Sequence, residues 1–361
     1  TGKEITRIVH KGVIWVVDFN PNGNYIIAGG CEQYNGSTCI QGFVQISDAF
    51  TGKEISHIAH EDNVTFALFS PDSKYIVSGG CDKNQDVNQT CSEKFARVWE
   101  VATGKEVMLL NHKQYVSSAS FSSDGKYVVS GGCDDQIYNL CNQGFVRVWD
   151  ISSGREIASM QHDNFVASVD FSPDGKYVVS GSYDRTARVW KVSSATEINR
   201  VVYGSYVISV DFSEDGNYVM STDGTIVDIR DTVSGRNIVR LAPPDRVEEG
   251  FFSIDGKSVI TSGSKSLRLW DMKGQEFSRV IYGDEENSIA VSPNGDLLAV
   301  GSTDGVIRTW SATNQNNIRK INHDRFVTSY LFTSDGKYAA SQSDDNTFYI
   351  WHLSTGKQEF S

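Results

Sequence analysis

Three residues of the stretch 153–191 carry the side chains of a nucleophilic site. His162, Ser180 and Asp184 supply a base, a hydroxyl and a carboxylate, with Trp190 close behind. Acyl transfer by a serine needs that set, with the hydroxyl exposed and its base held beside it. The same residue types return along the chain as His323, Ser341, Asp345 and Trp351, as His60, Ser78 and Trp99, and as His112, Ser130, Asp134 and Trp149. A catalytic centre is singular. A set repeated at intervals suits packing, so the expected role is structural.

Cysteines form the second chemical set. All six fall in three pairs, Cys31 and Cys39, Cys81 and Cys91, Cys133 and Cys141. Thiolate zinc sites favour two-residue spacings, whereas these pairs enclose seven, nine and seven residues. A third set lies between Cys81 and Cys91, where Asp82, Asn84, Asp86 and Asn88 alternate as in a calcium loop. Val87 stands where such a loop has glycine, and Asp/Asn-rich hairpin tips also arise for turn reasons alone. Calcium is therefore one reading and a plain turn the other; no other cofactor is implied. The chain lacks a P-loop, a zincin motif and a c-type haem motif. Glu248 and Glu249 are adjacent, and neighbours on a regular strand point to opposite faces. Asn35, Asn63 and Asn88 head glycosylation tripeptides.

The elements that hold these groups are short strands. Val166–Phe171 is rich in β-formers, Ser172-Pro-Asp-Gly175 is a turn, and Tyr177–Ser180 and Ala187–Trp190 are further strands, with Arg155–Met160 a fourth. Turns every eight to twelve residues indicate an all-β chain. The third-strand element recurs at Val44, Ala96, Val146, Ala187, Val227, Leu267, Ile307 and Phe348, which makes eight repeats over the whole chain.

The unit resembles a WD40 repeat. His162, Ser180, Asp184 and Trp190 fall where that family places a structural His–Ser/Asp–Trp tetrad. The resemblance implies a β-propeller with four-stranded blades, strands a to d from the axis outwards, with d–a and b–c loops on its top face. Eight blades are expected from the repeat count, seven being the commoner family number, in a single domain over 1–361. Nine outer-strand elements are present, so residues 1–10 are expected to complete the last blade and close the ring, leaving 355–361 surplus or in competition. The tetrad is complete in the fourth and eighth repeats. The first has Ser47 in place of the tryptophan, the fifth has Tyr203 for the histidine and Arg230 for the tryptophan, and the sixth has Pro243 for the histidine.

The first three repeats are longer, and their excess lies in the b–c turns at 31–39, 81–91 and 133–141. A hairpin brings its ends together, and positional symmetry selects Cys31–Cys39, Cys81–Cys91 and Cys133–Cys141 from fifteen connectivities. Disulfides point to an oxidising compartment, extracellular or periplasmic. By the resemblance, the three stapled hairpins stand together on the top face.

One d–a loop position reads Val13, Asn63, Tyr115, Phe165, Tyr206, Arg246, Glu285 and Phe326 around the ring. Its aromatics Tyr115, Phe165, Tyr206 and Phe326 are candidate partner contacts; packing between blades is the other role open to them. Trp15, inside its strand, is expected in the core.

The net charge of −12 argues against a nucleic-acid surface. No apolar run approaches a membrane span. No signal peptide is visible at Thr1, which begins inside a repeat, as at a processing site or a boundary within a longer protein. The function expected is a non-catalytic scaffold for a protein or peptide, exported. The alternatives are a structural component of a surface layer or larger complex, and an exported enzyme with its site at the central mouth.

Overall fold

The computed structural model describes residues 3–35, 38–61, 63–80, 95–112, 116–137, 140–253, 256–263, 266–281, 286–292, 297–311, 317–344 and 347–353. These form eight four-stranded antiparallel sheets. The a strands of successive sheets touch one another around the ring, so strand a lines the axis and strand d is outermost.

Blade 4 shows why the sequence folds this way. Its strands are a Val166–Phe171, b Tyr177–Ser182, c Thr186–Lys191 and d Thr196–Val202. Strands b and c are buried on both sides by the neighbouring blades, so their side chains are apolar or small almost without alternation. The a–b turn is fixed by its own polar groups. Ser172 Oγ donates to Asp174 at 2.8 Å and accepts the Tyr177 N–H at 2.9 Å, while Gly175 takes a φ of 68°. The core is divided among the blade junctions. At one of them Val146, Val148 and Met160 of blade 3 meet Val166, Phe171 and Trp190 of blade 4.

The ring closes as expected. Lys3–Val9 pairs antiparallel with Thr347–His352, from Lys3↔His352 to Val9↔Thr347, and is strand d of blade 8. Residues 354–361 lie outside the described part of the chain.

Carboxylates on the innermost strands stitch blades together. Asp211 accepts the Phe252 N–H of the next blade at 3.0 Å. Asp18 and Asp170 take the same place against Phe69 and Phe212. No cation pairs with them among the described residues, and burial pushes their carboxyls up to about 7 (Asp18), about 6 (Asp170) and about 7 (Asp211).

Two insertions are long hairpins that extend strands b and c beyond the top of the ring. In blade 1 these are Tyr25–Asn35 and Thr38–Asp48, and in blade 3 Tyr127–Ile137 and Leu140–Asp150. Disulfides join Cys31 to Cys39 and Cys133 to Cys141, each with Cα atoms 5.9 Å apart. Cys81, Cys91 and the calcium candidates Asp82, Asn84, Asp86 and Asn88 lie outside the described residues.

Candidate partner-binding surface

A full Ser–His–Asp set forms in blade 4 among the described residues, with its serine buried. In blade 4, His162 Nδ1 donates to Asp184 at 2.7 Å. Its Nε2 accordingly accepts from Ser180 Oγ at 2.7 Å, and that oxygen accepts the Trp190 indole N–H at 2.7 Å. Ser180 is fully buried, so its hydroxyl meets no substrate. Arg188 and Thr186 add hydrogen bonds to Asp184 at 2.7 and 2.6 Å. Although burial opposes it, contact with His162, Thr186 and Arg188 holds the Asp184 carboxyl well below the usual range.

The other blades repeat this with changes. His60, Ser78 and Trp99 form it in blade 2, and His323, Ser341 and Trp351 in blade 8; Asp345 lies outside the described residues. In blade 3, Arg147 stands between Asp134 and His112. It donates to Asp134 at 2.5 Å and to His112 Nδ1 at 2.7 Å, so His112 Nε2 donates to Ser130. This is the opposite tautomer from His162. In blade 5, Tyr203 reaches Ser221 Oγ at 2.6 Å.

Two cavities mark the two blades whose strand c lacks tryptophan. One of about 100 Å³ lies beside Arg230 between blades 4 and 5. The other, of about 730 Å³, lies between blade 1 and strand d of blade 8.

Exposed aromatics gather on the top face, and Phe50 in the c–d turn of blade 1 and Phe277 on strand d of blade 6 are exposed elsewhere. Phe165 is buried and meets the edge of Tyr183, with ring centroids 5.1 Å apart. Tyr183 in turn stacks on Tyr206 at 4.6 Å, and Tyr206 is 52% exposed. Phe165 and Tyr206 are thus joined through a b–c residue that the d–a pattern does not include; an aromatic in the turn Ser182-Tyr-Asp was its signal. Phe326 is half-buried, far round the ring, and Tyr115 lies outside the described residues. At the same ring position Asn63 is buried, which withdraws it as a glycosylation acceptor in the folded chain.

Trp15 is not core. It is 56% exposed at the axial end of strand a (Val13–Phe19). The pairing jumps from Ile14↔Gly30 to Val16↔Gly29, which leaves Trp15 in a β-bulge and turns it out of the alternation. The same bulge corrects the reading of Glu248 and Glu249. Pairing jumps from Val247 to Glu249, and both side chains are exposed at the bulge. The first hairpin adds exposed Tyr34 and Ile40.

Comparison with known proteins agrees with this architecture. The family model described as the IFT122 first beta-propeller matches residues 83–351, and the WD domain, G-beta repeat model matches 2–40 and 52–84.

The chain belongs to the WD40-repeat β-propeller family.

Among curated relatives of this propeller, nuclear distribution protein PAC1-2 of Uncinocarpus reesii is 28% identical over 162 residues, 38% of this chain and 35% of that protein. Nuclear distribution protein nudF of Aspergillus niger is 24% identical over 128 residues, 29% of each. The chain thus spans about a third of the length of these relatives. The designed propeller Ika8 superposes with a TM-score of 0.77 at 22% identity, over 98% of this chain and 100% of its own, which is a likeness of fold.

Proposed function

We propose that this WD40 propeller is a non-catalytic scaffold that holds a protein or peptide partner against its top face. The observation that carries the reading is the placing of Trp15 and Tyr206, both more than half exposed, at the end of the ring that bears the stapled hairpins. Large aromatics left in water at one end of a rigid ring are the usual anchors of an interface. The burial of every described tetrad serine removes the repeated Ser–His–Asp chemistry from contact with substrate.

Export belongs to the same reading and rests on the two disulfides, which persist in oxidising compartments. Affinity capture from the native envelope fraction tests the binding role, with Trp15→Ala/Tyr206→Ala and a hairpin-shortened form as controls. Partners retained equally by all three proteins would refute the top face as the site. Free thiols at the paired cysteines of the native protein would refute export.

A further inference from the structure

Blade 1 keeps the walls of an arginine site and lacks the arginine. In blade 3 the strand-c Arg147 bridges two carboxylates, with Nη2 2.5 Å from Asp134 and Nε 3.2 Å from Glu156, while its Cζ sits 4.6 Å over the Phe145 ring. In blade 4 Arg188 bridges Asp184 at 2.7 Å and Glu197 at 3.6 Å. In blade 6 Arg268 bridges Asp245 and Glu276, both at 2.7 Å. The aligned residues of blade 1 are Glu32 for Asp134, Glu54 for Glu156, Phe43 for Phe145 and His10 for His112. Gln45 stands in place of Arg147.

The arginine's place is open to the groove and held loosely by His57. Glu32, Gln45, Glu54, His57 and His10 line the groove of about 730 Å³ beside blade 1. His57 stacks on Phe43 with ring centroids 5.9 Å apart and interplanar angle 7°, as the Arg147 guanidinium covers Phe145 in blade 3. It reaches Glu32 at 3.5 Å and Glu54 at 4.0 Å, looser than the guanidinium contacts of blade 3, and its side chain is one-third exposed. Lys11 also stands at the groove. His10 is buried, and its Nε2 has no hydrogen-bond partner among the described residues, because Ala28 replaces the serine that meets the Nε2 of its counterpart His112.

We propose that this groove binds a guanidinium group, the arginine side chain of a partner, which displaces His57 and lies between Glu32 and Glu54 and over Phe43. The fork of a guanidinium matches two carboxylates and an aromatic face together, which a lysine ammonium does not. Blade 3 shows the same wall, two carboxylates and a phenylalanine, holding that group, and blades 4 and 6 hold it between two carboxylates with Thr186 and Ser266 at the phenylalanine's position. The site lies on the flank of blade 1, goes beyond the top-face reading and does not depend on it.

The test is a titration of the full chain with acetyl-arginine methylamide, followed by the imidazole resonances of His10 and His57. The expected result is saturable shifts with a millimolar dissociation constant, at least about tenfold weaker for the lysine analogue. Glu54→Gln, an exposed change that leaves the fold intact, is expected to weaken binding about tenfold. Gln45→Arg places the chain's own guanidinium in the groove; it is expected to raise the melting temperature and abolish the shifts. Equal response to the lysine analogue, full binding by either variant, or no shift up to concentrations on the order of 100 mM would each overturn the proposal. A free arginine that binds while an arginine-containing peptide does not would limit the ligand to the small molecule and overturn the partner assignment.

Discussion

The Tyr203 hydroxyl lies 2.6 Å from Ser221 Oγ, at the place where His162 meets Ser180 one blade earlier. Phenol and imidazole reach the same buried serine from the same loop, so the network survives a change of residue type. Desolvation pushes the Tyr203 hydroxyl above its ordinary range, and it stays a neutral donor. Tyr203→Phe leaves Ser221 without that partner in a site with no tryptophan. A loss of about 1–2 kcal/mol is expected in urea unfolding.

Ser180→Ala is expected to cost more, about 2–3 kcal/mol, because both His162 and the Trp190 indole lose a buried partner. Capture of the top-face partner by the folded variant should be unchanged. A loss of partner binding at full folding would contradict the structural role.

Asp18, Asp170 and Asp211 set a pH dependence. Their folded carboxyls stand at about 7, about 6 and about 7, against 3.8 when unperturbed. The folded state therefore holds these protons longer than the unfolded chain does. Their contribution is full below pH 4 and is lost as pH rises to about 7, at up to ~1.4 kcal/mol per pH unit for each group. Asp211→Asn should flatten this fall and raise the melting temperature at pH 8 relative to the parent. An unchanged slope of melting temperature against pH would show that the buried carboxyl does not titrate in this window.

The exposure of Trp15 has an optical signature. Trp99, Trp149, Trp190, Trp270 and Trp351 are buried and Trp310 is half-buried, so Trp15 should supply the largest share of the emission that iodide quenches. Trp15→Phe is expected to remove that fraction and change stability by less than about 0.5 kcal/mol. Quenching undiminished in the variant would place Trp15 inside.

Each stapled hairpin closes a short loop, eight residues apart in sequence. The chain-entropy model gives about 2.6 kcal/mol for a loop of that size. Replacing Cys133 and Cys141 with serine should lower stability by no more than this while the ring stays closed, read by circular dichroism during thermal unfolding.

Much of the fold was legible because its determinants are local and repeated. Turn residues such as Ser172, Asp174 and Gly175 bond within their own turn, and eight copies of strand c fixed the blade count. The ninth outer element pointed to closure by the N-terminal strand. The pairing of Cys31 with Cys39 and of Cys133 with Cys141 was legible because a hairpin returns on itself. The binding surface was less so. A single loop position suggested equivalence among Phe165, Tyr206 and Phe326, yet their exposure differs, since it depends on what each neighbouring loop places beside them.

By itself, then, the sequence determined the repeat, its eightfold count, its closure and the structural use of His162, Ser180 and Trp190. All of these follow from spacing along the chain. Tertiary structure alone decided that Trp15 and Glu248 leave their strands through bulges. It alone decided that Tyr183 joins Phe165 to Tyr206, and that Glu32, Glu54 and His10 surround a groove where Gln45 replaces an arginine. The physical reason is that a bulge breaks the alternation a sequence pattern assumes. A missing side chain becomes a cavity only when the walls around it, drawn from two blades, fail to collapse.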